Sequence, residues 1–247
     1  MSAHSNLVAL VTGANRGLGL ETSRQLAAEG VTVIMAGRDS KATHAAAEQL
    51  ASEGFKVLPA VLDVNDDGQI ENLRARIERE FGKLDILINN AGVIFDGSFF
   101  GNNATEVTKD IMRRTFEVNL FAPIALTQAL LPLIKAAPAG RIVNLSSVLG
   151  SLAMQADPNS FVAPIKPLAY NASKAALNMF TIELAAALAG TNVKVNSAHP
   201  GWVKTDLGGA EAPMEIVDGA KTSVALALAG ADGPNGAFIH MGEALPW

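Results

Sequence analysis

Apolar and polar positions along the chain fall into two alternating kinds of segment. Short runs rich in β-branched residues, several of them apolar at nearly every position, are separated by Ala-rich helical stretches. A run without apolar–polar alternation predicts a strand buried on both faces, as parallel sheets require. Such runs fall at 7–12, 31–37, 56–62, 84–89, 141–146, 192–198 and 236–240. Helices are predicted over 18–29, 40–53, 66–81, 105–135, 170–189 and 213–229, with Pro123 and Pro132 expected to kink or break the fourth. Regular alternation of strand and helix predicts parallel strands joined by crossover helices. Two segments fit neither kind: 150–168, with Pro158, Pro164 and Pro167, and the stretch after Pro200 that holds Gly208 and Gly209. No repeat or low-complexity linker divides the chain. Residues 1–247 are therefore read as one doubly wound α/β domain, about seven parallel strands with helices on both faces.

Composition narrows the function classes. Hydrophobic residues make up 49% and charged residues 17% of 247 positions, enough to bury roughly 70–75% of the unfolded surface without staples. Cysteine is absent, which excludes disulfides and thiolate metal sites, and His4, His44, His199 and His240 show no ligand spacing. No metal is expected. A net charge of −5 argues against nucleic acid or an anionic membrane as partner. The first apolar run starts at Leu7, and no apolar stretch is expected to span a bilayer. A soluble, cytoplasmic protein acting on a small molecule is the expectation.

Chemistry begins at the first strand-to-helix turn, Thr12-Gly13-Ala14-Asn15-Arg16-Gly17-Leu18-Gly19. Glycines there permit positive φ and close approach of a ligand to the backbone. The N–H groups and dipole of the helix start favour an anion such as a pyrophosphate. Glycines serving only a tight turn are the plainer alternative. The spacing T-G-x-x-x-G-x-G resembles that of the short-chain dehydrogenase/reductase family, a Rossmann-fold family of nicotinamide enzymes.

An acid closing the second strand would bind a ribose 2′-hydroxyl and select NAD. That end reads Ala36-Gly37-Arg38-Asp39, with Arg16 in the turn and Lys41 just beyond. Cations there suit a 2′-phosphate, hence NADPH/NADP+. Solvated surface arginines, with Asp39 in the NAD role, are the competing reading.

Four further motifs carry the resemblance. Asp63-Val64 is similar to the family's adenine-contacting pair. Asn89-Asn90-Ala91-Gly92 is similar to its N-N-A-G motif, with Asn90, Ala91 and Gly92 beneath the cofactor. Pro200-Gly201-Trp202-Val203-Lys204-Thr205 resembles its P-G motif, which places Pro200, Gly201, Val203 and Thr205 near the nicotinamide. Tyr170, the only tyrosine, heads Tyr170-Asn171-Ala172-Ser173-Lys174. Residues i and i+4 share a helix face, so the Lys174 ammonium is expected to lower the phenol pKa for proton transfer.

The resemblance also implies that Ser147, at the end of the fifth strand, donates to the substrate oxygen. The sequence leaves open that Ser146 does so. Asn119 is implied to hold a water in a relay towards Lys174, against the plainer reading of a satisfied core amide. Trp202 is a candidate pocket wall or packing residue, and Phe95, Met154, Phe161 and Met241 are further pocket candidates.

Finer similarity, in Leu130–Lys135, Pro200–Asp206 and the ending from Gly233 to Trp247, points to the carbonyl reductase branch. That implies broad reduction of ketones, aldehydes and quinones. Ser147 and Tyr170 lie 23 positions apart, against roughly a dozen residues between these roles in ordinary members. In monomeric carbonyl reductases a longer insertion here obstructs the tetramer. This one is shorter, so oligomeric state stays open. Two rival readings remain: an NADP-dependent alcohol or steroid dehydrogenase working oxidatively, and a non-catalytic NADP(H)-sensing protein.

Overall fold

Strands in the computed structural model, which describes residues 4–97, 101–102 and 104–247, form where the apolar runs predict them. They are β1 (Val8–Thr12), β2 (Thr32–Gly37), β3 (Val57–Val61), β4 (Ile86–Asn89), β5 (Arg141–Leu145), β6 (Lys194–Ala198) and β7 (Phe238–His240). These seven pair in parallel, in the order β7-β6-β5-β4-β1-β2-β3. An eighth strand, β8 (Glu243–Ala244), adds to β7 antiparallel and was not expected. A separate parallel pair joins Gly101–Asn102 to Ile165–Lys166.

Side-chain alternation sorts the apolar strands into two cores. Val8, Leu10 and Leu87 face α3 (Asp67–Phe81), α5 (Ala122–Ala136) and α7 (Leu168–Ala187). Ala9, Val11, Ile86 and Ile88 face α1 (Gly17–Ala28), α2 (Ser40–Ser52) and α8 (Ile216–Ala227). The described residues thus build one doubly wound α/β domain. Local chemistry sets the helix starts: Asp39 accepts from Ala42 N–H, and Asp66 accepts from Gln69 N–H.

The expected break at 105–135 takes another form. After α4 (Lys109–Phe116) the helix widens to a π turn, Glu117–Phe121, and continues as α5. Pro123 sits at the start of α5, and Pro132 lies inside α5 without ending it. The chain is thus helical from Lys109 to Ala136, 28 residues apolar enough by length and composition to cross a membrane. This corrects the expectation that no stretch qualifies. Half of its apolar window is buried in the domain, as a core helix would be. Segment 150–168, expected to be irregular, contains a short helix α6 (Leu152–Ala156) and the strand at 165–166.

One polar chain runs through the apolar interior. Asn89 Nδ2 donates to Asn144 Oδ1 at 2.8 Å and to Thr127 Oγ1 at 3.1 Å. Asn144 Nδ2 donates to Thr181 Oγ1 at 2.9 Å, and Thr181 meets Ser197 Oγ at 2.8 Å. It ties β4, β5 and β6 to α5 and α7 beneath the carboxyl ends of the strands.

Candidate active site

Strand order reverses at β1 and β4, and open α/β sheets bind ligands in the crevice outside that point. A cleft of about 1250 Å³ lies there. Its walls include the turn residues Gly13, Asn15, Arg16, Gly17, Leu18 and Gly19, then Arg38, then Asp63 and Val64. Asn90, Ala91 and Gly92 form its floor, and Ser147, Tyr170 and Lys174 close its buried end. Pro200, Gly201, Trp202, Val203 and Thr205 form the opposite wall. Lys41 is not among the wall residues, and Asn119 lies behind them.

The turn is shaped by its glycines. Gly13 and Gly17 have φ of 63° and 54°, the region that side chains disfavour. A Cβ on Gly19 would collide with Gly13 O and Asn90 Nδ2. Thr12 and Asn90, the first unforeseen in this role, lock turn to floor. Thr12 Oγ1 accepts from the N–H groups of Asn90 and Ala91, each at 3.0 Å, and Asn90 Nδ2 donates to Thr12 O at 2.7 Å. α1 starts after Arg16 with no side-chain cap, so its amide end is presented to the cleft.

At the second strand's end, Asp39 is spent on capping α2, its Oδ1 accepting from Ala42 N–H at 3.0 Å. It is not among the cleft-wall residues, which counts against the acid role held open above. Arg38 is exposed, and Arg16 pairs with Asp206 across the cleft mouth at 2.7 Å, both side chains about three-quarters exposed.

At the closed end, Tyr170 occupies the first turn of α7 and Lys174 the next. Ser147 hydrogen bonds the phenol, and its Oγ also accepts from Leu149 N–H at 3.2 Å. Ser146 instead turns its hydroxyl towards the α7 backbone, 3.5 Å from Lys174 O. Of the two serines, the structure brings Ser147 to the tyrosine. Lys174 Nζ donates to Leu145 O at 2.7 Å and lies 5.7 Å from the Tyr170 ring centre. Burial pushes the phenol up to about 12, and the Ser147 hydrogen bond pulls it only part of the way back. Burial draws the Lys174 ammonium down to about 8. The expected depression of the phenol by the lysine is not found: burial sets the direction, and the lowering contribution comes from Ser147.

Asn119 has its whole amide engaged. Nδ2 donates to Val93 O at 2.9 Å and to Ser173 Oγ at 3.0 Å, while Oδ1 accepts from Val93 N–H at 2.8 Å. Its side chain is a satisfied core amide with no donor left for a water.

Of the pocket candidates, Phe161 and Trp202 line the cleft; Phe95, Met154 and Met241 do not. Met154 packs against the buried cluster of Val148, Leu149, Val162 and Tyr170, and Phe95 lies under the Arg114 guanidinium at 4.1 Å. Trp202 Nε1 donates to Gly208 O at 2.7 Å, so the 202–208 segment folds onto its own indole.

Two residues missed from sequence shape this end. Asp96 Oδ1 accepts from Ala169 N–H at 2.9 Å, and Oδ2 accepts from Tyr170 N–H at 3.1 Å. It supplies the cap that Pro167, at the helix start, cannot. His199, just after β6, accepts from Val148 N–H through Nδ1 at 3.3 Å, and its ring lies tilted against that of His240 with centres 4.8 Å apart. Burial, with His240 adding to it, pulls the His199 pKa down to about 3. Neither residue has a local spacing that would expose it.

Comparison with known proteins identifies the family. The model of the short chain dehydrogenase family matches residues 7–215. Short-chain dehydrogenase anuI of Penicillium roqueforti is 36% identical, over 93% of this chain and 92% of its own. Carbonyl reductase [NADPH] 1 of Bos taurus is 32% identical, over 98% and 99%. The crystal structure of NADPH-bound carbonyl reductase from chicken fatty liver superimposes with a TM-score of 0.85 at 30% identity, covering 99% of this chain and all of that one.

Proposed function

The chain belongs to the short chain dehydrogenase family, and from that membership we propose that it reduces ketone and aldehyde carbonyls to alcohols with NADPH. One observation carries the reading: a phenol, a hydroxyl and an ammonium converge at the buried end of a cleft whose other end presents a helix amide terminus and Arg38.

The residues fit a dinucleotide. An uncapped α1 start and the side-chain-free approach at Gly19 suit a pyrophosphate, with Gly17 and Leu18 between them. Arg38, with Arg16 also on the cleft wall, suits a 2′-phosphate, while Asp39 caps α2 and is not among the wall residues. Asp63 and Val64 would hold the adenine, and Asn90, Ala91 and Gly92 would underlie the nicotinamide half. Pro200, Gly201, Val203 and Thr205 would meet the carboxamide. When bound, the cofactor supplies the hydride.

The chain's own residues handle the proton and the charge. Tyr170 gives its phenolic proton to the oxygen as negative charge develops there. A phenol held up near 12 is protonated at neutral pH, as a donor for reduction must be. Ser147 donates to the same oxygen and to its alkoxide form. Lys174, beside the glycine floor, would hold the ribose and favour the phenolate left behind; a Cβ on Gly92 would lie 3.5 Å from its Nζ. Asn119, its amide fully engaged, would serve a proton relay only through its main chain. Trp202 and Phe161 would wall the substrate end, where Leu149, Val162 and Ile165 are also apolar. Uncharged apolar carbonyl compounds suit such walls. The same site serves both directions, and the likeness to carbonyl reductases supports the reductive reading; the convergence of all three groups favours catalysis over sensing. The absence of cysteine suits a cytoplasmic location.

The test follows nicotinamide oxidation with NADPH and with NADH against aryl ketones, α-keto esters, quinones and steroids. Expected are turnover with NADPH, a much weaker rate with NADH, and about a thousandfold loss in Tyr170→Phe. Equal rates with both cofactors would refute the cofactor assignment, and full activity without the phenol would overturn the mechanism.

A further inference from the structure

Gly37 closes β2, where an acid would have to stand to bind a ribose 2′-hydroxyl. It is not one of the glycines that adopt positive φ, so its backbone would accept any residue. The obstacle is steric. A Cβ built on Gly37 would fall well inside 3.0 Å of Thr43 Oγ1, closer than real Cβ atoms come, while Asn15 stands at 3.5 Å on another side.

Thr43 cannot swing away cheaply. It is fully buried in the first turns of α2, and its Oγ1 donates to Asp39 O at 2.7 Å. Its N–H donates to the same carbonyl at 2.9 Å. Asp39 in turn caps α2 through Ala42 N–H. One hydroxyl therefore fills the volume needed at position 37 and ties down the main chain of Asp39, the residue that caps α2.

We propose that Thr43 is a specificity-determining residue for the cofactor: its side chain excludes an acid from position 37 and so keeps the adenosine end committed to a 2′-phosphate. The proposal rests on the NADPH reading above. It implies that Gly37→Asp alone does not create an NADH site, whereas Gly37→Asp with Thr43→Ala does.

Dissociation constants for NADH and NADPH, read by fluorescence titration on the wild type, T43A, G37D and G37D/T43A, test it. Expected for G37D is loss of NADPH affinity with no gain for NADH. T43A alone also gains no NADH affinity. G37D/T43A should bind NADH about tenfold or more tightly than G37D does, the size of one hydrogen bond to a charged group. Equal NADH affinities in G37D and the double variant would overturn the role of Thr43. Should G37D fail to fold, melting temperatures of G37A, T43A and G37A/T43A decide the point. The collision predicts that T43A restores the stability G37A loses, and additive losses would refute it. Equal wild-type affinity for NADH and NADPH would refute the NADPH reading itself, while the difference between G37D and the double variant would still judge Thr43.

Discussion

Removing the Asp96 carboxylate should loosen the start of the helix that carries Tyr170. Its two oxygens take the N–H groups of Ala169 and Tyr170 at 2.9 and 3.1 Å, both residues being buried. Each bond is charge-assisted, and each amide left without it loses about 1–3 kcal/mol unless water reaches it. The negative charge at a helix N-terminus adds about 0.3–1 kcal/mol. Allowing partial rescue by water, Asp96→Ala should cost about 3 kcal/mol, a fall of about 6–12 °C in melting temperature for a chain of this size. Asp96→Asn keeps one acceptor oxygen and should lose about half as much.

Stability alone would not show that Asp96 positions the phenol. Turnover should therefore be measured well below the melting transition, where all variants are folded. A displacement near 1 Å at the reacting group costs about a hundredfold, so kcat should fall by about ten- to a hundredfold with a smaller change in KM for the carbonyl. Asp96→Asn should recover part of kcat. The reasoning is refuted if Asp96→Ala melts within about 2 °C of the parent and keeps its kcat.

Two further predictions concern pH. His199 stays neutral until about pH 3 in the fold but takes its proton near 6.5 when unfolded. Stability is thus complete above 6.5 and falls as pH drops below it, by roughly 1.4 kcal/mol per unit. Melting curves from neutral to acid pH should show this slope reduced in His199→Asn; parallel slopes would contradict it. Lys174 loses its charge as pH rises through about 8, so kcat/KM for NADPH should decline over that range. A pH profile of Lys174→Arg, which keeps its charge, should lack that limb, and an unchanged limb would assign it to another group.

Legibility of the molecule in its sequence followed the reach of each interaction. The strands and the glycine turn were legible because burial and turn chemistry are written in neighbouring residues. Tyr170 and Lys174 were legible because one helical turn separates them. The two-residue β8, reached through Met241 at positive φ and Gly242, is too short to show any period. So is the five-residue α6 within the proline-bearing segment. Prolines foretold a disturbance between 105 and 135, yet the structure takes it up as a π turn ahead of Pro123 and lets Pro132 stand inside the helix. Asp96, Thr43 and His199 stayed hidden for a common reason. Asp96 acts on a helix start more than seventy residues away and His199 on a strand end about fifty away. Thr43 matters only through the space it takes from Gly37. The phenol illustrates a further limit: spacing announced the lysine, but the degree of desolvation that decides the pKa exists only in the folded interior.

Neighbouring strands of purely aliphatic residues can slip past one another with little loss, since one greasy contact resembles the next. The amides of Asn89 and Asn144, with the hydroxyls of Thr181 and Ser197, forbid that here. Any sliding of the central strands or of the helix above them would strand a dry amide at a cost of about 1–3 kcal/mol per group. The sheet is thereby indexed like a vernier, so that hydrogen bonds from below, and not tightness of fit alone, define the height at which Tyr170 stands over Ser147.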